Sequence, residues 1–255
     1  MGSVSFEVIP ERYHKDIVEM LKQRVGDKKV RVKLLLKRDP NHEDSSLLLK
    51  LFQELHALYP NVEYDVIYED DEEGKRLIKE RGIKILPVLF FTDRSFFEGL
   101  PLGHESAVVL EMIGILANKE TSPYTPELLK KLDDGCPRDI RVYVTMACPY
   151  CPMASVMALS LPLFFDKYVS RVYVLDSDPS VGDEENVDAV PHIVVRSGSC
   201  KDTFIGLPPV DAFVDRLSSC KCRWPTDLSI FFLPLMRSFL GSLRSSRSPR
   251  LSPSS

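Results

Sequence analysis

The sequence lacks a large excess of charge of either sign, since its 255 residues include 33 basic and 37 acidic residues, for a net charge of −4. Proteins whose main function is to bind nucleic acid usually carry a strongly basic surface, so we expect no nucleic-acid partner. The first residues also lack a basic stretch followed by an apolar core and a small-residue cleavage site. We therefore expect a cytoplasmic protein without a secretory signal.

Cysteine is scarce, with six residues in the chain and none before Cys136. Six are too few for a disulfide scaffold of this length, and in a reducing cytosol a close pair is more often catalytic or metal-binding than structural. We expect Cys136 and Cys200 to be lone thiols and Cys220-Lys221-Cys222 to be a strained or unpaired set. If the source is a hyperthermophile, a bridge from Cys200 to Cys220 or Cys222 is the alternative.

Long apolar runs are few, and the strand-length segments fall into two similar series. The apolar approach to a proline at residues 82–90 recurs at 186–194, and the Gly-Leu-Pro turn at 99–101 recurs at 206–208. Each half reads strand, helix, strand, helix, strand, strand, helix. Strands alternating with helices predict an α/β fold, and a closing β-hairpin makes each central sheet mixed, with helices on its flanks.

The repeat divides the chain into five predicted segments. Residues 1–26 form an N-terminal helical segment, 27–120 the first unit (unit 1), 121–136 a linker and 137–222 the second unit (unit 2). Residues 223–255 form a C-terminal extension that we expect to be partly disordered, because its end is rich in serine, arginine and proline. The apolar run at 228–243 is too short, and interrupted by Pro234 and Arg237, to span a bilayer.

A C-x-x-C segment, Cys148-Pro149-Tyr150-Cys151, carries the clearest chemical signal. Cys148 follows a buried strand at the start of a helix, with Pro149 in the first turn, and a helix N-terminus favours a thiolate. We predict that Cys148 is the attacking sulfur and that Cys151, one turn further on, is the more buried thiol that resolves a mixed disulfide. Zinc sites use the same spacing but need two more ligands, so we expect neither a metal nor a cofactor.

A second element of the predicted site is Val190-Pro191, which opens a later strand. If the peptide bond before Pro191 is cis, this turn can set backbone groups beside the sulfur pair. Together with Pro149 and Tyr150, these two residues are the candidates for a substrate groove.

The Cys-Pro-Tyr-Cys segment at a helix start, Val190-Pro191 at a strand start and the repeat of the whole frame resemble the archaeal protein disulfide oxidoreductases. These are glutaredoxin-like proteins with two tandem thioredoxin folds, and the resemblance covers about residues 10–220. It implies that Cys148 is the redox nucleophile, Cys151 its resolving partner and Pro191 the cis-proline of the groove. It also implies protein substrates with thiols or disulfides and a thioredoxin-reductase-like or other electron donor.

Unit 1 departs from that pattern, because its equivalent helix start contains no cysteine. By position, His42 and Ser45 replace the two sulfurs, and Pro87 takes the place of Pro191. Unit 1 therefore cannot exchange disulfides, although a groove at this degenerate site could still hold substrate.

Two alternatives to protein disulfide exchange stay open. One is a redox-inactive peptide-binding or chaperone module in which both grooves hold extended chains. The other is glutathione-linked reduction, because Cys-Pro-Tyr-Cys is also a glutaredoxin sequence.

Overall fold

The computed structural model describes residues 7–222, and the strands of this range form one eight-stranded mixed sheet. The predicted α/β class is confirmed, but the two predicted sheets are joined edge to edge into one. The strands are β1 (Val30–Leu36), β2 (Val62–Tyr68), β3 (Val88–Thr92), β4 (Ser95–Glu98), β5 (Arg138–Val144), β6 (Tyr168–Val174), β7 (His192–Ser197) and β8 (Cys200–Ile205). The predictions for residues 223–255 lie outside the described residues.

The helices lie on both faces of this sheet. They are α1 (His14–Arg24), α2 (Glu43–Leu58), α3 (Glu72–Arg81), α4 (Ser106–Ala117), α5 (Pro126–Leu132), α6 (Cys151–Ser160) and α7 (Val210–Ser219). The largest core lies between one face of the sheet and the helices α1, α2, α4, α6 and α7. On the other face, α3 and a 3-10 helix at Pro179–Glu185 cover smaller apolar clusters.

Strand pairing repeats along the chain. In unit 1, β1 is parallel to β2 and antiparallel to β3, which pairs with β4. In unit 2, β5 is parallel to β6 and antiparallel to β7, which pairs with β8. The parallel pair of β4 with β6 joins the two units, so the strand order is β2-β1-β3-β4-β6-β5-β7-β8.

The apolar periodicity of α2 positions it as predicted, with Leu48, Leu51, Phe52 and Leu55 buried against the sheet. By contrast, α6 is apolar almost all round because it is buried on most sides, including against α4. The first strand of unit 2, β5, ends at Val144. Met146 leaves the ladder because its N–H donates to Asp176 Oδ2 at 2.8 Å.

Two disulfides tie the end of unit 2 together, and the expectation that Cys136 and Cys200 are lone thiols is wrong. Cys136 is bonded to Cys222, with Cα atoms 5.5 Å apart, and Cys200 to Cys220, with Cα atoms 5.6 Å apart. Helix α7 returns the chain to the end of the sheet where β5 and β8 begin. Cys220 and Cys222 are thus sequence neighbours with different partners, a long-range arrangement that sequence spacing does not reveal.

Removing the Cys136–Cys222 bridge with the paired change Cys136→Ser and Cys222→Ser should lower the free energy of unfolding by about 4 kcal/mol. The reason is that a cross-link closing a long loop restricts the unfolded chain, and this bridge spans 86 residues. The Cys200–Cys220 bridge closes a loop of only 20 residues. The matched paired change Cys200→Ser and Cys220→Ser should therefore lower the free energy of unfolding by less, about 3 kcal/mol. Urea unfolding without reductant measures both. Unfolding midpoints equal to that of the unaltered protein would contradict both bridges.

Candidate functional site

The sulfur pair lies in the turn between β5 and α6. Helix α6 begins at Cys151, three residues later than predicted, and a tight turn with Cys148 N–H donating to Thr145 O at 3.2 Å precedes it. Both sulfurs are free thiols. Cys151 is completely buried, whereas Cys148 is 9% exposed and so is the sulfur that an incoming disulfide can reach.

The turn before β7 lies against Cys148. The Val190–Pro191 peptide bond is cis, and Cys148 Sγ lies 3.8 Å from Val190 O. Two apolar side chains that follow Cys148 in the chain are exposed, Tyr150 at 65% and Met153 at 50%. The structure therefore places the Val190–Pro191 turn beside the accessible sulfur.

Cys151 is held as a thiol by its surroundings. Burial raises the pKa of this thiol well above its ordinary value, and its hydrogen bond with Cys148 raises the pKa further. A buried thiol of this kind is a poor nucleophile until a nearby group removes its proton.

Glu105 is a buried carboxyl at this site for which the sequence predicted no role. It ends a 3-10 turn, Gly103–Glu105, directly before α4 in unit 1, and its Oε2 accepts from Ser155 Oγ at 2.9 Å. Burial raises the pKa of Glu105 to about 7, and its charge in turn contributes to the raised pKa of Cys151. Unit 1 thus supplies an ionisable group to the thiol pair of unit 2.

The backbone of the Glu105 turn is fitted to the active-site loop. His104 N–H donates to Met146 O at 2.9 Å, and Gly103 has a φ of +61°. A Cβ at Gly103 would lie 2.5 Å from Met146 O, so glycine is required on both counts. One sequence signal could have pointed to Glu105. Ser155 is a polar residue on the buried face of an apolar helix, and such a group needs a partner.

Glu105→Gln should make the protein more stable at pH 8, by about 3 kcal/mol, because the neutral amide avoids a buried charge. A carboxyl whose pKa rises from 4.5 unfolded to about 7 folded binds its proton more tightly in the native state. Stability of the unaltered protein should therefore fall as pH rises from about 4.5 to 7 and then level off. Urea unfolding across that range tests this. An unchanged pH dependence in the variant would contradict it, and Glu11→Gln, at an exposed glutamate, is the control.

In unit 1 the predicted replacement of the two sulfurs by His42 and Ser45 is wrong by two residues. The strand registers and the helix starts at Glu43 and Cys151 place Pro40 and Glu43 at the positions of Cys148 and Cys151.

His42 and Ser45 instead cap helix α2. His42 is the N-cap of α2, and its Nδ1 accepts from Ser45 N–H at 3.2 Å and lies 2.9 Å from Ser45 Oγ. The Ser45 hydroxyl in turn accepts from Lys37 N–H at 3.0 Å. The Leu86–Pro87 bond is cis, like its counterpart in unit 2. His42 and Ser45 are thus in mutual contact, and their hydrogen bonds stabilise the helix start.

Comparison with known proteins identifies the fold. No protein-family model and no curated protein matches the chain. Among solved structures, a protein disulfide oxidoreductase from Aeropyrum pernix k1 superposes with a TM-score of 0.69 at 21% identity, covering 86% of this chain and 98% of that one. The protein consists of two tandem thioredoxin-like units.

Two structures from Enterococcus faecalis (V583) agree with this assignment. The alkylhydroperoxide reductase AhpF has a TM-score of 0.67 at 20% identity, covering 83% of this chain and 100% of that one. The NTD_N/C domain of the same reductase has a TM-score of 0.67 at 19% identity, covering 82% and 99%. At these identities the likeness establishes the tandem thioredoxin-like fold, and the chemistry is argued from the site.

Residues 7–222 contain no helix with the length and apolar character needed to cross a bilayer. In the same range, no three histidine, cysteine, aspartate or glutamate side chains are grouped so that they could hold a metal ion.

Proposed function

We propose that the protein exchanges disulfides with protein substrates through Cys148 and Cys151. The observation that carries this proposal is the arrangement of the two free thiols. One is reachable from solvent beside the cis bond of Pro191, and the other is fully buried, one helical turn from the Ser155 hydroxyl that is bonded to Glu105. A redox-inactive binding module would not need a buried thiol placed beside an ionisable group.

Reduction of a substrate proceeds in two exchanges. The Cys148 thiolate attacks one sulfur of the substrate disulfide, forming a mixed disulfide and releasing the other substrate sulfur, which takes a proton from water. Cys151, as a thiolate, then attacks Cys148 Sγ, and the second substrate sulfur leaves and is protonated. Two electrons pass to the substrate while Cys148 and Cys151 become a disulfide. The reverse sequence oxidises a substrate dithiol.

Glu105 is proposed to accept the proton of Cys151 before the second exchange. A carboxyl with a pKa of about 7 is about half ionised at neutral pH, so it can both accept a proton and release it again. Glu105 is completely buried, and its negative charge contributes to the raised pKa of Cys151. Ser155 would hold its Oε2 in place throughout.

Extended polypeptides fit the surface around Cys148. The exposed side chains of Tyr150 and Met153 offer apolar contact, and the backbone at Val190 offers hydrogen-bonding groups to a strand-like substrate. We therefore favour protein disulfides over small thiols such as glutathione as substrates. A thioredoxin-reductase-like enzyme or another dithiol would return the electrons.

A cytoplasmic location also belongs to the proposal. The two structural bridges are compatible with this location only if the source is a hyperthermophile, because other cytosolic proteins rarely keep disulfides.

Reduction of insulin disulfides by the full chain, with dithiothreitol as electron donor, tests the proposed function. We expect catalysis well above the rate of dithiothreitol alone. The paired change Cys148→Ser and Cys151→Ser should remove it, whereas replacing the Cys136–Cys222 pair should not. A full chain that never exceeds the background rate would contradict the proposal.

A further inference from the structure

The edge strand of unit 2 exposes apolar residues at two positions whose counterparts in unit 1 are buried. Ile205, at the end of β8, is 65% exposed, and Leu207 in the following turn is 37% exposed. Their counterparts at the end of β4 and in its turn, Glu98 and Leu100, are 0% and 2% exposed. The equivalence follows from the strand registers. Glu98 pairs with Val88, the residue after the cis-proline Pro87, and Ile205 pairs with His192, the residue after the cis-proline Pro191.

The glycines of the two Gly-Leu-Pro turns show the same contrast. A Cβ at Gly99 would lie 2.9 Å from Val174 Cβ and 3.0 Å from Ser177 Oγ, whereas a Cβ at Gly206 would meet nothing within 4 Å. In unit 1 the turn is covered by unit 2, with Leu100 N–H donating to Ser177 Oγ at 3.1 Å. The structure thus shows what covers such an edge, namely a strand and turn of the kind that β6 provides.

Unit 1 carries a strand equivalent to β6, and it lies at the opposite end of the sheet. In β6, Val172 pairs with Val142, and in β2, Val66 pairs with Leu34. Val142 and Leu34 are themselves equivalent, since each pairs with the second residue after its cis-proline. Within the described residues, β2 and β8 are the two outer strands of the sheet.

The backbone groups of both outer strands point outward in matching order. Gly206 N–H donates to Pro191 O, so every second residue of β8 bonds to β7. The backbone N–H and C=O groups of the residues between them, Lys201, Thr203 and Ile205, therefore point outward. The bond from Glu69 N–H to Leu36 O sets the same alternation in β2, whose even-numbered residues point outward. The β4–β6 pair uses the equivalent positions, as its bond from Ser170 N–H to Arg94 O at 2.8 Å shows.

Side chains are complementary when the β4–β6 register is transferred to β8 and β2. In β4–β6, Phe97 lies opposite Val172. The same register places Phe204 opposite Val66 of a second copy, Ile205 opposite Ile67 and Lys201 opposite Glu63. Apolar cross-strand pairs and a pair of opposite charge stabilise a sheet, and no two like charges are opposed.

We propose that the chain self-associates head to tail, with β8 of one copy adding in parallel to β2 of a second copy. The contact is heterologous, so association continues into a ring or a longer assembly rather than stopping at a symmetric dimer. The second copy would cover Leu207, whose turn is bonded to the Pro191 carbonyl, and would form a wall beside the groove of Cys148.

Sedimentation analysis of the full chain over about a hundredfold range of concentration tests this proposal. The mass of the unaltered protein should exceed that of one chain and rise with concentration. Ile205→Lys blocks the β8 edge and Val66→Pro removes an outward N–H from β2, so each variant alone should sediment as a single chain. Tyr13→Lys, a similarly exposed apolar residue on neither edge, should behave like the unaltered protein.

A mixture of the two edge variants is the decisive sample. Each retains one intact edge, so the mixture should give a species of two chains and nothing larger. If Val66→Pro does not fold, Ile205→Lys added to the unaltered protein should shorten its assemblies, because this variant keeps an intact β2 and blocks growth at its own β8.

A single chain at all concentrations, or assemblies that persist in Ile205→Lys, would overturn the proposal. Association that appears only after residues 223–255 are removed would also overturn it, because the extension would then occupy the edge in place of a second copy.

Discussion

Cys148→Ser is expected to reduce disulfide reductase activity to the background rate of the chemical reductant. Cys148 is the free sulfur of the described chain that reaches the surface, and serine cannot form a disulfide. Unit 1 cannot compensate, because the chain has no cysteine before Cys136. Insulin reduction with dithiothreitol as electron donor measures the loss.

A control separates this loss from a general effect of removing cysteine. The paired change Cys200→Ser and Cys220→Ser should lower stability but leave the rate at moderate temperature unchanged. Full activity in Cys148→Ser would mean that one of the two structural bridges carries the exchange, and the site assignment would then be wrong.

Cys151→Ser is expected to leave the first exchange intact and to block the second. Cys148 can still attack a substrate disulfide, but no neighbouring sulfur can displace the substrate, so a mixed disulfide should accumulate. Mass spectrometry of the protein mixed with a disulfide-containing substrate should show a single covalent adduct at Cys148. Turnover should fall as steeply as in Cys148→Ser.

The order of the two sulfurs depends on this result. Cys148→Ser treated in the same way should give no adduct, because Cys151 is completely buried. An adduct at Cys151 in that variant, or none at Cys148 in the first, would reverse the proposed roles.

The sequence predicted most of the fold because the fold is repeated. Two series of strand-length segments, each with a proline before its third strand and a Gly-Leu-Pro turn after its fourth, define the two units without reference to any contact. The joining of the units into one sheet through β4 and β6 was not predictable, because strand pairing between units leaves no periodic signal in either strand.

Long-range contacts also explain what was missed at the site. Glu105 lies 46 residues before Cys151 in the chain and contacts Ser155, on the helix that Cys151 begins, because the turn before α4 packs on the loop after β5. The bridges from Cys136 and Cys200 depend on where α7 ends. Local spacing predicted the C-x-x-C pair because its two sulfurs lie within four consecutive residues of the chain.

The central claim is that Cys148 and Cys151 are a reversible redox pair, and equilibration of the full chain in thiol–disulfide buffers of graded potential tests it most directly. Alkylation of free thiols followed by peptide mass mapping reports the state of each cysteine. We expect Cys148 and Cys151 to change together, with two electrons per transition, within the range of known dithiol oxidoreductases, roughly −270 to −120 mV. The bridges of Cys136 and Cys200 should stay closed across that range. A pair that remains reduced at every potential, or that changes only when the structural bridges open, would contradict the account.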